Sequence, residues 1–215
     1  MTNPNKSHIT LILDRSGSMN SIASDVIGAV NGFVAEQQAV PGECSFTLVQ
    51  FDDQDPYETV YDGPLANAKK LDSKTYVPRG STPLLDAIGR GISDLGAKLS
   101  AMPQHDRPGK VIFVVQTDGL ENASREYDKP RIKEMIERQT KDYNWQFVFL
   151  GANQDAIAEG AAIGTVQASS MSYAATGQGV RASYASTANA VRSFRSGTAA
   201  SVAFSDDDRV EAMSK

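Results

Sequence analysis

Short apolar runs and longer stretches of helical spacing take turns along this chain. His8 to Leu13 is nearly continuous in apolar character through Ile9, Leu11, Ile12 and Leu13, as a strand covered on both faces requires. After a polar turn, Ile22, Val26, Ile27, Val30, Phe33 and Val34 recur at helical spacing to about Gln38, where Val40-Pro41-Gly42 stops the helix. Cys44 to Phe51 reads as a second strand, and Tyr57 to Tyr61 alternates like a short edge strand that Asp62-Gly63-Pro64 breaks. Leu65 to Arg79 shows no clear period. Gly80-Ser81-Thr82-Pro83 opens a helix whose apolar face is Leu84, Leu85, Ile88, Ile92, Leu95 and Leu99. The five apolar residues Val111 to Val115 mark the central buried strand, ending in Thr117-Asp118-Gly119. A helix from about Lys129 to Lys141 and a strand from Trp145 to Leu150 follow. Gly151-Ala152-Asn153 leads into a short helix with Ile157 and Ala161. Thr165 to Ala168 is the expected last strand, and an alanine-rich helix spans about Gly177 to Phe194.

Strands alternating with helices predict an α/β fold: a doubly wound, Rossmann-like, mostly parallel sheet flanked by helices, with a short antiparallel edge strand. In such a sheet, ligands bind beyond the carboxyl ends of the strands where the winding reverses. Three motifs fall at strand-to-helix crossings: Asp14-x-Ser16-x-Ser18, Ser81-Thr82-Pro83 and Thr117-Asp118-Gly119. They offer oxygen ligands and no nitrogen or sulfur, which suits Mg²⁺, with Mn²⁺ or Ca²⁺ as alternatives, over zinc. Gly17 lacks a Cβ, so the backbone can turn tightly and aim both serine hydroxyls at one point.

Each motif also has a plainer reading. Asp14, Ser16 and Ser18 suit a polar cap on the next helix, Thr82 before Pro83 is a good N-cap, and Thr117-Asp118-Gly119 suits a simple turn. Glu121 and Asn122 read as solvated loop residues or as the rim of a site. Asp52, Asp53 and Asp55 do not follow the EF-hand pattern. Gly177-x-Gly179-x-x-Ala182 matches a dinucleotide fingerprint by letters only. It lacks a preceding strand and a later acidic residue, and reads as a helix start.

Composition narrows the function classes. The 215 residues are 40% hydrophobic and 22% charged, ordinary for a globular protein. The net charge is -5 with scattered lysines and arginines, so no basic stripe marks a nucleic-acid footprint. One cysteine, Cys44, excludes an internal disulfide and reads as a buried structural thiol. No stretch approaches the ~18 apolar residues of a membrane span, and the polar N-terminus does not resemble a signal peptide. A cytoplasmic protein with neither nucleic-acid nor membrane partner is expected.

In this order on this framework, the three motifs resemble a von Willebrand factor A domain with a metal-ion-dependent adhesion site (MIDAS), of the bacterial or phage cytosolic type. The resemblance covers about Ser7 to Ala168. Alongside the polar, acidic stretch at 201–215, which reads by itself as a loose tail, it implies a single domain over 1–200, with a core at about 7–168 and a C-terminal helical segment at about 176–196. It further implies that Ser16 and Ser18 bind the metal through their hydroxyls. Thr82 would bind directly in one state and through water in another, with Asp118 complementary to it. Asp14 would sit beneath the metal holding coordinating waters, and a partner protein's Asp or Glu would take the open position. The implied role is protein binding without catalysis, with MoxR-type AAA+ ATPases among the partners of such relatives.

Two other readings stay open. An Mg²⁺-dependent phosphotransfer enzyme resembling haloacid-dehalogenase-like phosphatases also ends its first strand in aspartate, but it needs a second aspartate where this chain has Ser16. The other is a scaffold whose metal site is vestigial.

Overall fold

The computed structural model describes residues 2–152 and 155–214; Asn153 lies outside them. Six strands form one sheet: β1 (Asn3–Asp14), β2 (Glu43–Phe51), β3 (Glu58–Pro64), β4 (Pro108–Thr117), β5 (Gln146–Ala152) and β6 (Ser170–Tyr173). Their spatial order is β3-β2-β1-β4-β5-β6. β2, β1, β4, β5 and β6 run parallel to their neighbours, and β3 pairs antiparallel with β2 at the edge. From β1 the chain winds outward to β2, and from β4 it winds the other way to β5. The reversal therefore lies between β1 and β4, and the Asp14 and Thr117 ends of these strands open on the switch-point crevice.

The strand alternation splits the core in two. Ile9, Leu11 and Leu13 of β1 pack with Ile112 and Val114 against α1 (Ala23–Gln38) and α5 (Gly177–Ser196). Ile12, Phe113 and Val115 face α2 (Leu84–Ala101) and α3 (Lys129–Tyr143). Successive side chains of one strand serve opposite layers, which is why β1 and β4 read as unbroken apolar runs. Among the described residues no helix is long and apolar enough to cross a membrane.

Several expectations need correction. The last strand is Ser170–Tyr173, not Thr165 to Ala168, and the latter segment is a turn leading into a 3-10 helix at Gln167–Ser169. Ser170 and Ser172 face the short helix at Ala156–Ala162, where Ser172 Oγ accepts from Ala156 N at 3.2 Å, while Met171 and Tyr173 are buried on the other face, so the polar serines conceal a strand. β1 starts at Asn3, so the sheet runs past both ends of the expected 7–168 core.

The 201–215 segment is not a loose tail. Val202, Phe204 and Ala212 are buried, and α6 (Asp206–Ala212) starts with a capping box between Ser205 and Asp208. Arg209 donates to the carbonyls of Ser170 and Gln167, and Ala174 N donates to Ala212 O, which ties α6 to β6. The three aspartates of 206–208 belong to a helical first turn, where negative charge is favourable.

The Gly177-x-Gly179 sequence begins α5, and Thr176 caps it by accepting a hydrogen bond from Gly179 N. Cys44 is half-buried, and burial pushes its thiol pKa up.

Candidate metal centre

The floor of the switch-point crevice is Asp14, the last residue of β1 and fully buried. Its Oδ1 accepts from Ser16 N at 2.7 Å, which folds the chain back at once, and its Oδ2 accepts from Thr117 Oγ1 at 2.6 Å. One carboxylate thus ties the ends of the two central strands together. Burial pushes its pKa up to about 6; the Thr117 and Ser16 hydrogen bonds oppose the rise and the Asp118 charge adds to it.

Above Asp14 the chain enters a 3-10 turn at Gly17–Ile22. Ser16 Oγ and Ser18 Oγ share a hydrogen bond of 3.1 Å, and Ser18 Oγ donates to Asp118 Oδ1 at 2.6 Å. The tight turn has a specific cause: Gly17 N donates to Gly80 O at 3.0 Å, and a Cβ on Gly17 would stand 3.3 Å from that oxygen. Gly80 itself has φ +69°, a left-handed conformation that favours glycine. These two glycines hold the Thr82 loop against the serine loop.

Thr82 is buried, but it does not cap α2. The residue at the N-cap position is Pro83, with no side-chain cap. The helix's first N–H groups are taken from elsewhere: Leu85 N donates to Glu121 Oε2 at 2.9 Å and Asp86 N to Ser124 Oγ at 3.0 Å. The Thr82 hydroxyl is therefore free of capping duty. A Cβ placed on Gly119 would lie 3.4 Å from Thr82 Oγ1 and 3.6 Å from Ser18 Oγ, so Gly119 leaves open the space that these two oxygens border.

Asp14, Ser16, Ser18, Thr82 and Asp118 thus come together at one place. The donor set is oxygen only, three hydroxyls and two carboxylates. Among the described residues no three His, Cys, Asp or Glu side chains gather into a metal-binding group. Burial also raises the Asp118 pKa, against the Ser18 hydrogen bond. Two carboxylates made costly by burial, and hydroxyls that face one another, fit a small hard cation.

Sequence reasoning missed the supports of this site. Tyr76 OH donates to Asp14 O at 2.6 Å. Arg15, buried between the ligand candidates, pairs with Asp52 at 2.7 Å and with Glu58, and Asp52 also takes Arg79 at 2.9 Å. Asp52 is thus an ion-pair hub bracing the serine loop. These two arginines and its turn N–H groups hold its pKa down against burial. Glu121, read above as a rim or solvated residue, caps α2. Asp86 answers from the helix by accepting from Arg125, Glu126 and Tyr127 N at 2.8–2.9 Å. Asn122 exchanges two backbone-directed hydrogen bonds with Thr82: its side chain accepts from Thr82 N at 2.9 Å, and its own N donates to Thr82 O at 3.2 Å. The loop carrying Asp118 and the loop carrying Thr82 are therefore bolted together.

Solved structures share this architecture. The open conformation of the pilus adhesin SpaC from Lactobacillus rhamnosus GG matches with TM-score 0.64 at 17% identity, over 88% of this chain and 30% of that one. Proximal thread matrix protein 1 from the mussel byssus, in a structure with a zinc-occupied MIDAS motif, matches with TM-score 0.56 at 15% identity, over 87% of this chain and 46% of that one. A von Willebrand factor type A protein from Catenulispora acidiphila matches with TM-score 0.54 at 14% identity, over 87% and 43%. The chain spans less than half the length of these structures. No protein-family model and no curated protein matches the sequence.

Proposed function

We propose that this chain, whose fold is that of the von Willebrand factor A domains, is a divalent-metal-dependent binding module that takes an acidic side chain of a partner protein. The observation that carries the reading is the meeting of Ser16, Ser18 and Asp118 in one hydrogen-bonded set, with the free Thr82 hydroxyl beside it. Ser16, Ser18, Thr82 and Asp118 would hold the ion directly or through water, and Asp14 would act from beneath. Mg²⁺ is the favoured ion, because hydroxyls, two carboxylates and retained waters meet its preference. Two carboxylates and three neutral hydroxyls balance a divalent charge without placing an excess of negative charge on it, so a third carboxylate from outside can take an open coordination position. When bound, the ion supplies the electrophilic contact for that carboxylate.

The reading is binding without bond breaking. The five residues include no histidine, cysteine or lysine to serve as acid, base or nucleophile. The position that a haloacid-dehalogenase-like phosphatase needs as its second aspartate is Ser16. A MoxR-type AAA+ ATPase is one form the partner takes under the resemblance noted above.

Calorimetric titration of metal-stripped protein with Mg²⁺ and Mn²⁺ tests the metal site, beside a Ser16→Ala/Ser18→Ala variant. Saturable one-site binding that the double variant loses is expected. A glutamate-containing peptide should then bind only with metal present, and its glutamine counterpart should not. Peptide binding that ignores the metal, or Mg²⁺-dependent turnover of a phosphate ester abolished by Asp14→Ala, would replace this reading.

A further inference from the structure

At the opposite end of the sheet, the N-terminal rim holds a buried guanidinium without a carboxylate. Arg195, in the last turn of α5, is 7% exposed. Its Nε donates to Ser7 Oγ at 3.0 Å, and its Nη1 donates to Gln37 O at 2.7 Å and Gln37 Oε1 at 3.0 Å. All three acceptors are neutral, and Arg195 forms no ion pair among the described residues. Arg15, equally buried at 6%, instead has Asp52 and Glu58. A charge taken out of water is costly unless it is paired.

The Gln37 carbonyl lies in the last turn of α1, so the helix dipole accounts for the Nη1 contact. It does not account for Nη2, which has no hydrogen-bond partner among the described residues. Nη2 is also not sealed in: among those residues the only enclosed, unpartnered side-chain polar atom is Arg15 Nη2. Arg195 lines two adjoining cavities, of about 600 Å³ and about 460 Å³, which share Lys6, Ser7, Gly42 and Arg195; the smaller is also lined by Lys110.

The sheet register supplies a second cation. Ser7 pairs with Cys44 on one side and Lys110 on the other, so the three stand abreast on the face covered by α1 and α5. Lys110 Nζ donates to Arg195 O and, among the described residues, has no carboxylate. The rim's carboxylates, Glu43 and Asp106, both pair with Lys6, at 3.3 and 3.6 Å. Lys6 thus takes both rim carboxylates, and neither reaches Arg195 or Lys110; the three cations against two carboxylates leave this rim net positive on a chain of net charge -5.

We propose that this rim is a binding site for a small phosphate-type oxyanion, held by Arg195 Nη2 and Lys110 Nζ. A guanidinium gives an oxyanion directed N–H donors, and an ammonium adds a point charge. Because α1 and α5 both end here, the site rests on side-chain cations and not on helix N-terminal N–H groups.

The test uses the full chain, stripped of metal. Thermal unfolding and phosphorus NMR line widths are followed as inorganic phosphate is added, against chloride at matched ionic strength, with sulfate as a second oxyanion. Saturable stabilisation by phosphate beyond chloride is expected. Lys110→Gln, whose amide keeps a donor for Arg195 O, should melt like the parent in chloride yet bind phosphate roughly tenfold or more weakly. The Ser16→Ala/Ser18→Ala variant should bind phosphate like the parent. No phosphate-specific effect in the parent chain, or undiminished binding by Lys110→Gln, overturns the proposal. Loss confined to the serine variant also overturns it, since the anion would then sit at the metal centre.

Discussion

Thr117 Oγ1 donates to Asp14 Oδ2 at 2.6 Å, spanning the gap between the two central strands at the point where the sheet's winding reverses. The same hydroxyl accepts from Gly119 N at 3.1 Å, so it fixes the carboxylate and starts the turn that presents Asp118. Thr117→Val keeps the shape and removes both bonds. Without the donor, Asp14 holds its proton more tightly and loses its orientation. The expected result is roughly tenfold weaker Mn²⁺ binding, the scale typical of losing an outer partner of a metal ligand, with a stability loss of about 1–2 kcal/mol. Calorimetry and urea unfolding on one sample separate the two. Unchanged affinity would mean that Asp14 is fixed by Ser16 N alone.

Two buried groups pull the acid stability of the metal-free chain in opposite directions. His8 hydrogen-bonds Ser45 Oγ at 2.7 Å and Thr10 Oγ1 at 2.9 Å. Burial, aided by the Lys98 charge, lowers its pKa from 6.5 to about 3. Between those values the unfolded chain binds the extra proton, so His8 makes the fold weaken as pH falls, by up to about 1.4 kcal/mol per pH unit. Asp14 is the reverse case. Its pKa rises from 3.8 to about 6, so the folded chain binds the extra proton in that window and the fold gains as pH falls. The metal-free chain should therefore show a shallow profile between pH 4 and 6. Bound Mn²⁺ keeps Asp14 ionised and removes its opposing slope, leaving the steeper His8 loss. Denaturant unfolding across this range, with and without Mn²⁺, checks the pair. Parallel curves would show that Asp14 does not sense the ion.

The clamp between α2 and the loop after β4 makes a separate prediction. Asp86 Oδ1 accepts from Glu126 N and Tyr127 N, and Oδ2 accepts from Arg125 N. Asp86→Ala leaves these backbone donors without their acceptor. It should cost about 3 kcal/mol and raise hydrogen exchange selectively at the three amides, while Asp86→Asn, which keeps an acceptor oxygen, should cost less. Uniform exchange across the chain would indicate that the residue matters only to global packing.

These relationships explain what the sequence made readable. Asp14, Ser16 and Ser18 fall within five residues, so their shared purpose is visible as a pattern. Val111 to Val115 show a strand covered on both faces. Glu121 meets Leu85 N across 36 positions with no local pattern, and no period links Tyr76 to the carbonyl of Asp14. Thr117 belongs to the Thr117-Asp118-Gly119 motif, but its bond to Asp14 depends on β1 and β4 being neighbours, which only the strand order reveals. The C-terminal miss was different, because a local cue existed: Ser205 three residues before Asp208 has the spacing of a capping box. The run of three aspartates hid it behind an apparent acidic tail.

That helix sets the last prediction. Val202 is fully buried and Phe204 nearly so, and Arg209 stacks 5.9 Å from the Phe204 ring while holding the carbonyls at the start of β6. β6 in turn ends in Tyr173, whose hydroxyl accepts from Gln116 Nε2 at 2.6 Å and donates to Thr117 O at 3.3 Å, directly behind Asp14's partner. Removing residues 201–215 strips both apolar anchors and should cost about 3–6 kcal/mol. It should also weaken metal binding, because the strand that backs Thr117 loses its outer support. Arg209→Ala, which leaves the anchors in place, should cost less stability and spare the metal affinity. A truncated chain that melts with the parent and binds Mn²⁺ as tightly would show that α6 is an appendage, with no part in holding the site.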